Sequence, residues 1–154
     1  MTGTVREAIH ALKYRDLRAA APELGKLLAE HLQAHPLPGD VLVPVPLHPR
    51  RLRQRGYNQS ALLARELGKL TGLPVAAGWL ARVRSAPPQA RAANRQERAS
   101  NVRDAFAATG SARGISVVLV DDVTTTGSTF SAAARALKDA GAATVWGLAL
   151  AKEA

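Results

Sequence analysis

The chain has 154 residues, 47% of them hydrophobic, no cysteine and a formal net charge of +9. This length predicts a single domain over residues 1–154, and the lack of cysteine excludes disulfides and thiolate metal sites. No apolar run approaches the roughly 20 residues that a membrane span needs, and the charged amphipathic start predicts no signal peptide. We therefore expect a cytoplasmic protein whose basic charge attracts an anionic partner, either a polyphosphate or a nucleic acid.

Capping residues and helically spaced apolar residues predict four helices. The first starts at a capping box formed by Thr4 and Glu7, and the third starts at the N-cap Asn58 and ends near Gly72. The second and fourth cover residues 22–33 and 130–140. Short apolar runs predict strands over residues 40–45, 79–83, 115–120 and 144–150. The order of these helices and strands predicts an α/β fold in which helices flank a parallel sheet. The last three elements form one βαβ unit.

The most informative segment is VVLVDDVTTTGST, residues 117–129. An apolar strand runs into Asp121 and Asp122, and a turn rich in hydroxyl groups then leads into a helix. Such a turn binds phosphate through its N–H and O–H donors and the helix dipole, whereas carboxylates accept hydrogen bonds from hydroxyl groups. The segment therefore predicts a ligand site at the sheet edge where open α/β folds bind their ligands. The alternative is a buried strand and an acidic turn without a ligand.

Residues 121–129 resemble the phosphoribosyl pyrophosphate (PRPP) motif of the type I phosphoribosyltransferases. The resemblance implies their Rossmann-like fold and a catalytic role for Asp121 and Asp122, which would hold the ribose hydroxyls and a bound Mg²⁺. The loop that follows would wrap the ribose 5′-phosphate. Its expected ligand-binding residues are Thr124, Thr125, Thr126, Gly127, Ser128 and Thr129.

Two further segments, VPVPLHPRR at residues 43–51 and RGYNQ at residues 55–59, are similar to the signature of the ComF family. These are phosphoribosyltransferase-like proteins associated with bacterial competence, the uptake of DNA. The start of the chain and several residues of its middle, such as Gln89 and Phe106, match as well. Many members also carry an N-terminal cysteine-rich zinc module, and we expect this module to be missing here or supplied by another chain.

The resemblance also implies where pyrophosphate binds. The loop formed by Val45, Pro46 and Leu47 would contact it. The X–Pro bonds there lower the energetic cost of a cis peptide. The alternative is a proline-rich strand exit that does not contact the ligand. Residues 84–103 resemble the flexible loop that closes over the type I active site and would bring Arg84 and Arg95 onto the pyrophosphate. A basic linker is the alternative for that stretch.

The implied reaction is displacement of pyrophosphate from C1′ of PRPP by an acceptor that the sequence does not identify. Hypoxanthine-using relatives carry a carboxylate where this chain has Thr125, which argues against that substrate. Three hypotheses follow: an active phosphoribosyltransferase, a non-catalytic PRPP- or nucleotide-binding protein, and a single-stranded DNA-binding component of the uptake machinery that contacts other competence proteins. Because type I relatives are often dimers, a homodimer is also expected.

Overall fold

The computed structural model describes residues 18–83 and 105–153. A short 3₁₀ turn, Arg18–Ala20, leads into the first helix. The described helices are α1 (Ala21–Ala34), α2 (Pro49–Arg55), α3 (Gln59–Thr71) and α4 (Ser128–Asp139). The described strands are β1 (Val41–Pro44), β2 (Leu80–Arg82), β3 (Phe106–Ala108), β4 (Ser116–Thr124) and β5 (Thr144–Lys152).

The main sheet has three parallel strands in the order β1-β4-β5. Central β4 pairs with both neighbours, so Leu119 lies opposite Val43 on one side and Gly147 on the other. Helix α4 connects the parallel strands β4 and β5, which confirms the predicted βαβ unit. The predicted fold class, a parallel sheet flanked by helices, is confirmed.

Helices cover both faces of this sheet. Because successive side chains of a strand point to opposite faces, Leu119 packs with the buried residues of α4, such as Leu137, whereas Val118 packs against Leu24 of α1 and Leu63 of α3. The burial of β1 and β4 on both faces explains why they are continuous apolar runs. The sheet is therefore a rigid base for whatever lies at the carboxyl ends of its strands.

The structure corrects three of the predictions. Strand β4 continues to Thr124, so the acidic pair lies inside the strand and not after it. The arginine-rich segment Pro49–Arg55 is a helix, which we had not predicted because its seven residues show no apolar stripe. Strand β2 pairs antiparallel with β3 in a separate two-stranded sheet and does not join the parallel one.

Some predictions fall on residues outside the described ranges. These are the first helix, with Thr4 and Glu7, and the closing loop, with Arg84 and Arg95. Within residues 18–83 and 105–153, no helix has the length and apolar character needed to cross a bilayer.

Candidate functional site

The acidic pair lies near the carboxyl end of β4, where the parallel strands present their ends to one edge of the sheet. Asp122 is buried, with only 3% of its surface exposed. The Oδ1 atom of Asp121 accepts two hydrogen bonds, from the Ser60 hydroxyl at 2.6 Å and from the backbone N–H of Asp122 at 2.9 Å. Two donors thus hold one carboxylate oxygen of Asp121 in place.

Ser60 is a site residue that the sequence analysis missed. It lies in the first turn of α3, and the N-cap Asn58 accepts a hydrogen bond from its backbone N–H at 2.9 Å. Asn58 also donates to the carbonyl of Val45 at 3.1 Å, and Val45 donates in turn to the carbonyl of Val120 at 2.9 Å. One cap therefore ties the end of β1, the start of α3 and the acidic pair together. The only signal in the sequence is a small polar residue two positions after a helix cap.

The electrostatics of the pair are unfavourable without a counter-charge. Burial, and then the neighbouring charge of Asp122, raise the pKa of Asp121 to about 7, and the hydrogen bond from Ser60 opposes that rise. The carboxylates of these neighbouring residues repel each other when both are ionised. A cation or a set of hydroxyl donors at this position would relieve the repulsion.

The donor set fits Mg²⁺ with help from a substrate. Carboxylate oxygens are ligands that Mg²⁺ prefers, and the ion is commonly held by one or two carboxylates together with waters and substrate oxygens. In the described part of the chain, no group of three or more His, Cys, Asp and Glu side chains is placed to hold a metal. Asp121 and Asp122 would therefore form a partial site that a phosphorylated ligand completes.

The predicted phosphate loop forms a tight turn between β4 and α4. Gly127 is the N-cap of α4 and has a φ of +82°, a left-handed conformation that glycine adopts readily. The hydroxyl groups of Thr126 and Ser128 lie 2.9 Å apart, and Thr126 accepts from the backbone N–H of Ser128 at 3.3 Å. Thr125, Thr126 and Ser128 are exposed, whereas Thr124 and Thr129 are half-buried. The loop thus presents hydroxyl groups at the N-terminus of a 12-residue helix.

The exit of β1 leads from the parallel sheet to α2. All described peptide bonds are trans, including those before Pro44 and Pro46. Val45 is buried and donates a hydrogen bond to the carbonyl of Val120 in β4, whereas Pro46 and Leu47 are half-buried. His48 caps α2, because its Nδ1 accepts from the backbone N–H of Arg50 at 3.2 Å, and this contact gives it a structural role.

A cavity of about 350 Å³ adjoins the phosphate loop. Thr126 and Gly127 line one side of it, and β5 lines the other with residues that include Gly147 and Lys152. The cavity therefore has room for a small ligand, with a cationic side chain at its margin.

Residues 10–152 of the chain match the phosphoribosyl transferase domain family. The match spans nearly the whole sequence, and the chain belongs to this family. The motif at residues 121–129 covers the end of β4, the turn that follows and the start of α4.

Relatives narrow the assignment, and the resemblance to the ComF family is confirmed. The chain is 38% identical over 143 residues to the DNA utilization protein YhgH of Salmonella typhi, covering 89% of this chain and 62% of that protein. It is 36% identical over 115 residues to Competence protein F of Haemophilus influenzae, covering 71% of this chain and 50% of that protein. The chain thus spans between half and two thirds of the length of these relatives.

A solved structure supports the fold independently. The glutamine phosphoribosylpyrophosphate amidotransferase of B. subtilis, complexed with ADP and GMP, superposes with a TM-score of 0.59 and 28% sequence identity. The similarity covers 86% of this chain and 26% of that one. The region of that protein that superposes on this chain is therefore about a quarter of its length.

Proposed function

We propose that the chain binds PRPP, or a related ribose phosphate, at the carboxyl end of β4 and transfers the phosphoribosyl group to an acceptor. The observation that carries this proposal is the adjacency of two chemically opposite groups. The Asp121–Asp122 pair, positioned by Ser60, lies in the same strand whose end turns into the hydroxyl-rich N-terminus of α4. Ribose hydroxyls suit the first group and a 5′-phosphate suits the second.

Different site residues bind different parts of the ligand. Asp121 and Asp122 accept hydrogen bonds from the ribose hydroxyls and would hold Mg²⁺, which would neutralise charge on the pyrophosphate. The turn from Thr124 to Thr129 binds the 5′-phosphate. The exit of β1, at Val45, Pro46 and Leu47, together with Arg84 and Arg95, contacts the pyrophosphate.

The chain's contribution to the reaction is positioning and charge stabilisation. The acceptor attacks C1′, the bond from C1′ to the pyrophosphate oxygen breaks, and the pyrophosphate leaves with the bonding electrons. A site that is already organised stabilises the charge that develops on both fragments without reorganising at that moment. The hydrogen bonds that hold Asp121 in place supply such organisation.

The relatives suggest where this chemistry is used. Their names refer to competence and DNA utilization, and we extend this association to the present chain as part of the proposal. A homodimer and contacts with other competence proteins belong to the same proposal.

Turnover is tested by measuring pyrophosphate release. The protein with PRPP and Mg²⁺ should release pyrophosphate faster when one member of a panel of nucleobases and amines is added than in its absence. The matched control is Asp121→Asn, which should remove the acceptor-dependent release. Binding of PRPP without release by any acceptor would contradict the transfer step and favour a non-catalytic PRPP-binding protein.

A second candidate function, binding of single-stranded DNA, is favoured by the arginines of α2. Arg50, Arg51 and Arg53 are all exposed on this short helix, and the chain carries a net charge of +9. Such a surface attracts a polyanion through counterion release.

If α2 contacts DNA, affinity for a single-stranded oligonucleotide should fall steeply with salt, at a log–log slope of roughly −0.7 per phosphate contact. The double variant Arg50→Gln/Arg53→Gln should make that slope shallower by roughly 1.4, because two contacts are lost. Arg65→Gln, which removes an exposed charge from α3, is the control. An unchanged slope in the double variant would exclude α2 as the DNA-binding surface.

A further inference from the structure

Asn58 takes part in three hydrogen bonds, of which only two belong to a helix cap. Its Oδ1 atom accepts from the backbone N–H groups of Ser60 at 2.9 Å and Ala61 at 3.4 Å, and these two bonds cap α3. Its Nδ2 atom donates to the backbone carbonyl of Val45 at 3.1 Å. A serine or threonine side chain would also cap a helix, so capping alone does not account for the bond to Val45.

The bond to Val45 lies where the hydrogen-bond ladder between β1 and β4 changes. Val45 donates from its backbone N–H to the carbonyl of Val120 at 2.9 Å, as in a regular parallel ladder. The next bond of that ladder would run from the N–H of Asp122 to the carbonyl of Val45. Instead, this N–H donates to the carboxylate of Asp121 at 2.9 Å, and Asn58 supplies the donor to Val45. Side chains therefore replace backbone pairing where β1 leaves the sheet.

The first turn of α3 holds both sides of this junction. Asn58 donates to Val45, and the hydroxyl of Ser60 donates to the Oδ1 atom of Asp121 at 2.6 Å. Asn58 and Ser60 are joined to each other by the capping bond, and Ser60 is buried, with 1% of its surface exposed. One short unit of the chain thus sets the position of the Val45 carbonyl relative to the Asp121 carboxylate.

We propose that Asn58 is a positioning residue, which fixes the spacing between the exit of β1 and the Asp121–Asp122 pair by acting through Val45 and Ser60. This inference rests on the proposed function, in which the exit of β1 and the acidic pair contact two parts of one ligand. A ligand that bridges two groups gains full affinity only when their spacing is already correct, because moving them into place costs free energy.

The test compares the whole ligand with its two fragments. Asn58→Ser keeps a hydroxyl that caps α3 but has no amide group to donate to Val45. Its affinity for PRPP should fall by about tenfold, whereas its affinities for ribose 5-phosphate and for pyrophosphate should stay within about twofold of the wild type. Each fragment occupies only one side of the junction, so a change in spacing matters less to it. Titration calorimetry with Mg²⁺ measures all three affinities.

Two further variants separate positioning from helix stability. Asn58→Thr also keeps a capping hydroxyl without the amide donor, so it should show the same selective loss of PRPP affinity. Arg65→Gly introduces glycine on the exposed face of the same helix, which lowers helix propensity without changing the contacts of Asn58. It should lower the melting temperature but leave the ratio of PRPP affinity to fragment affinity unchanged.

The failures of the two proposals are distinguishable. A PRPP affinity within about twofold of the wild type in both Asn58 variants would overturn the positioning role and leave the proposed function in place. An equal weakening of all three ligands would also overturn that role, since it would show a general disturbance of the site. A wild-type chain that binds none of the three ligands would overturn both proposals.

Discussion

Replacing Asp121 and Asp122 together by asparagine is expected to abolish stabilisation of the protein by PRPP and Mg²⁺. A ligand at 100 times its dissociation constant stabilises the native state by about 2.7 kcal/mol, which for a domain of this size corresponds to a rise in melting temperature of roughly 5 to 11 °C. The double variant removes the charges that hold Mg²⁺ and the acceptors for the ribose hydroxyls. Its melting temperature should therefore be the same with and without the ligand.

The substitution itself should leave the fold intact. Asparagine has nearly the same shape as aspartate and keeps a carbonyl oxygen that accepts from Ser60 and from the backbone of residue 122. The pKa of Asp121 is raised in the folded protein, so removing its charge relieves repulsion at neutral pH. Asp139→Asn, at the exposed end of α4, is the matched control and should keep full protection. Undiminished protection in the double variant would show that the ligand binds elsewhere.

The raised pKa of Asp121 also predicts how stability depends on pH. The pKa is about 7 in the folded protein and near 3.8 in the unfolded chain, so between these values the folded state binds the extra proton. The contribution is therefore fully present below pH 3.8 and is lost as the pH rises through 7. One such group changes the free energy of unfolding by at most about 1.4 kcal/mol per pH unit.

Urea unfolding at several pH values between 5 and 8.5, in buffer with a chelator, measures this effect. The wild type should lose more stability across the range than Asp121→Asn, which does not titrate at this position. Ser60→Ala removes a hydrogen bond that holds the pKa of Asp121 down. The variant should therefore have a higher Asp121 pKa, and its free energy of unfolding should go on falling to a higher pH than that of the wild type. Identical pH dependence in the wild type and Asp121→Asn would contradict the burial and repulsion described for the pair.

The parts of the fold that could be predicted are those in which one local rule dominates. Asn58 has the side chain of an N-cap, and it caps α3 as expected. Residues 117–120 are uninterrupted apolar residues, and they form a buried run within β4. In both places the local preference of the chain agrees with its tertiary packing.

The parts of the fold that the sequence did not predict depend on tertiary contacts or on caps. Asp121 and Asp122 are poor strand formers by composition, yet β4 continues through them because β5 pairs with it as far as Thr124 and Lys152. Helix α2 has no buried residues and depends on its caps at His48 and Gly56, so no hydrophobic period marks it.

The candidate site shows the same division. The motif at residues 121–129 identified the acidic pair and the turn because its residues are contiguous. Ser60 lies 61 positions from Asp121 in the chain, and Asn58 lies 13 positions from Val45, to whose carbonyl it donates. Contacts over such separations leave no pattern in a single sequence, and only the folded arrangement shows them.

The central claim, that the carboxyl end of β4 binds PRPP, is tested most directly by the thermal stability of the wild-type protein. The melting temperature is measured without ligand and with PRPP, ribose 5-phosphate or pyrophosphate, each with Mg²⁺. The account predicts a clear rise with PRPP that exceeds the rise with either fragment, because PRPP occupies both the phosphate turn and the diphosphate subsite. A melting temperature that none of the three ligands changes would contradict it.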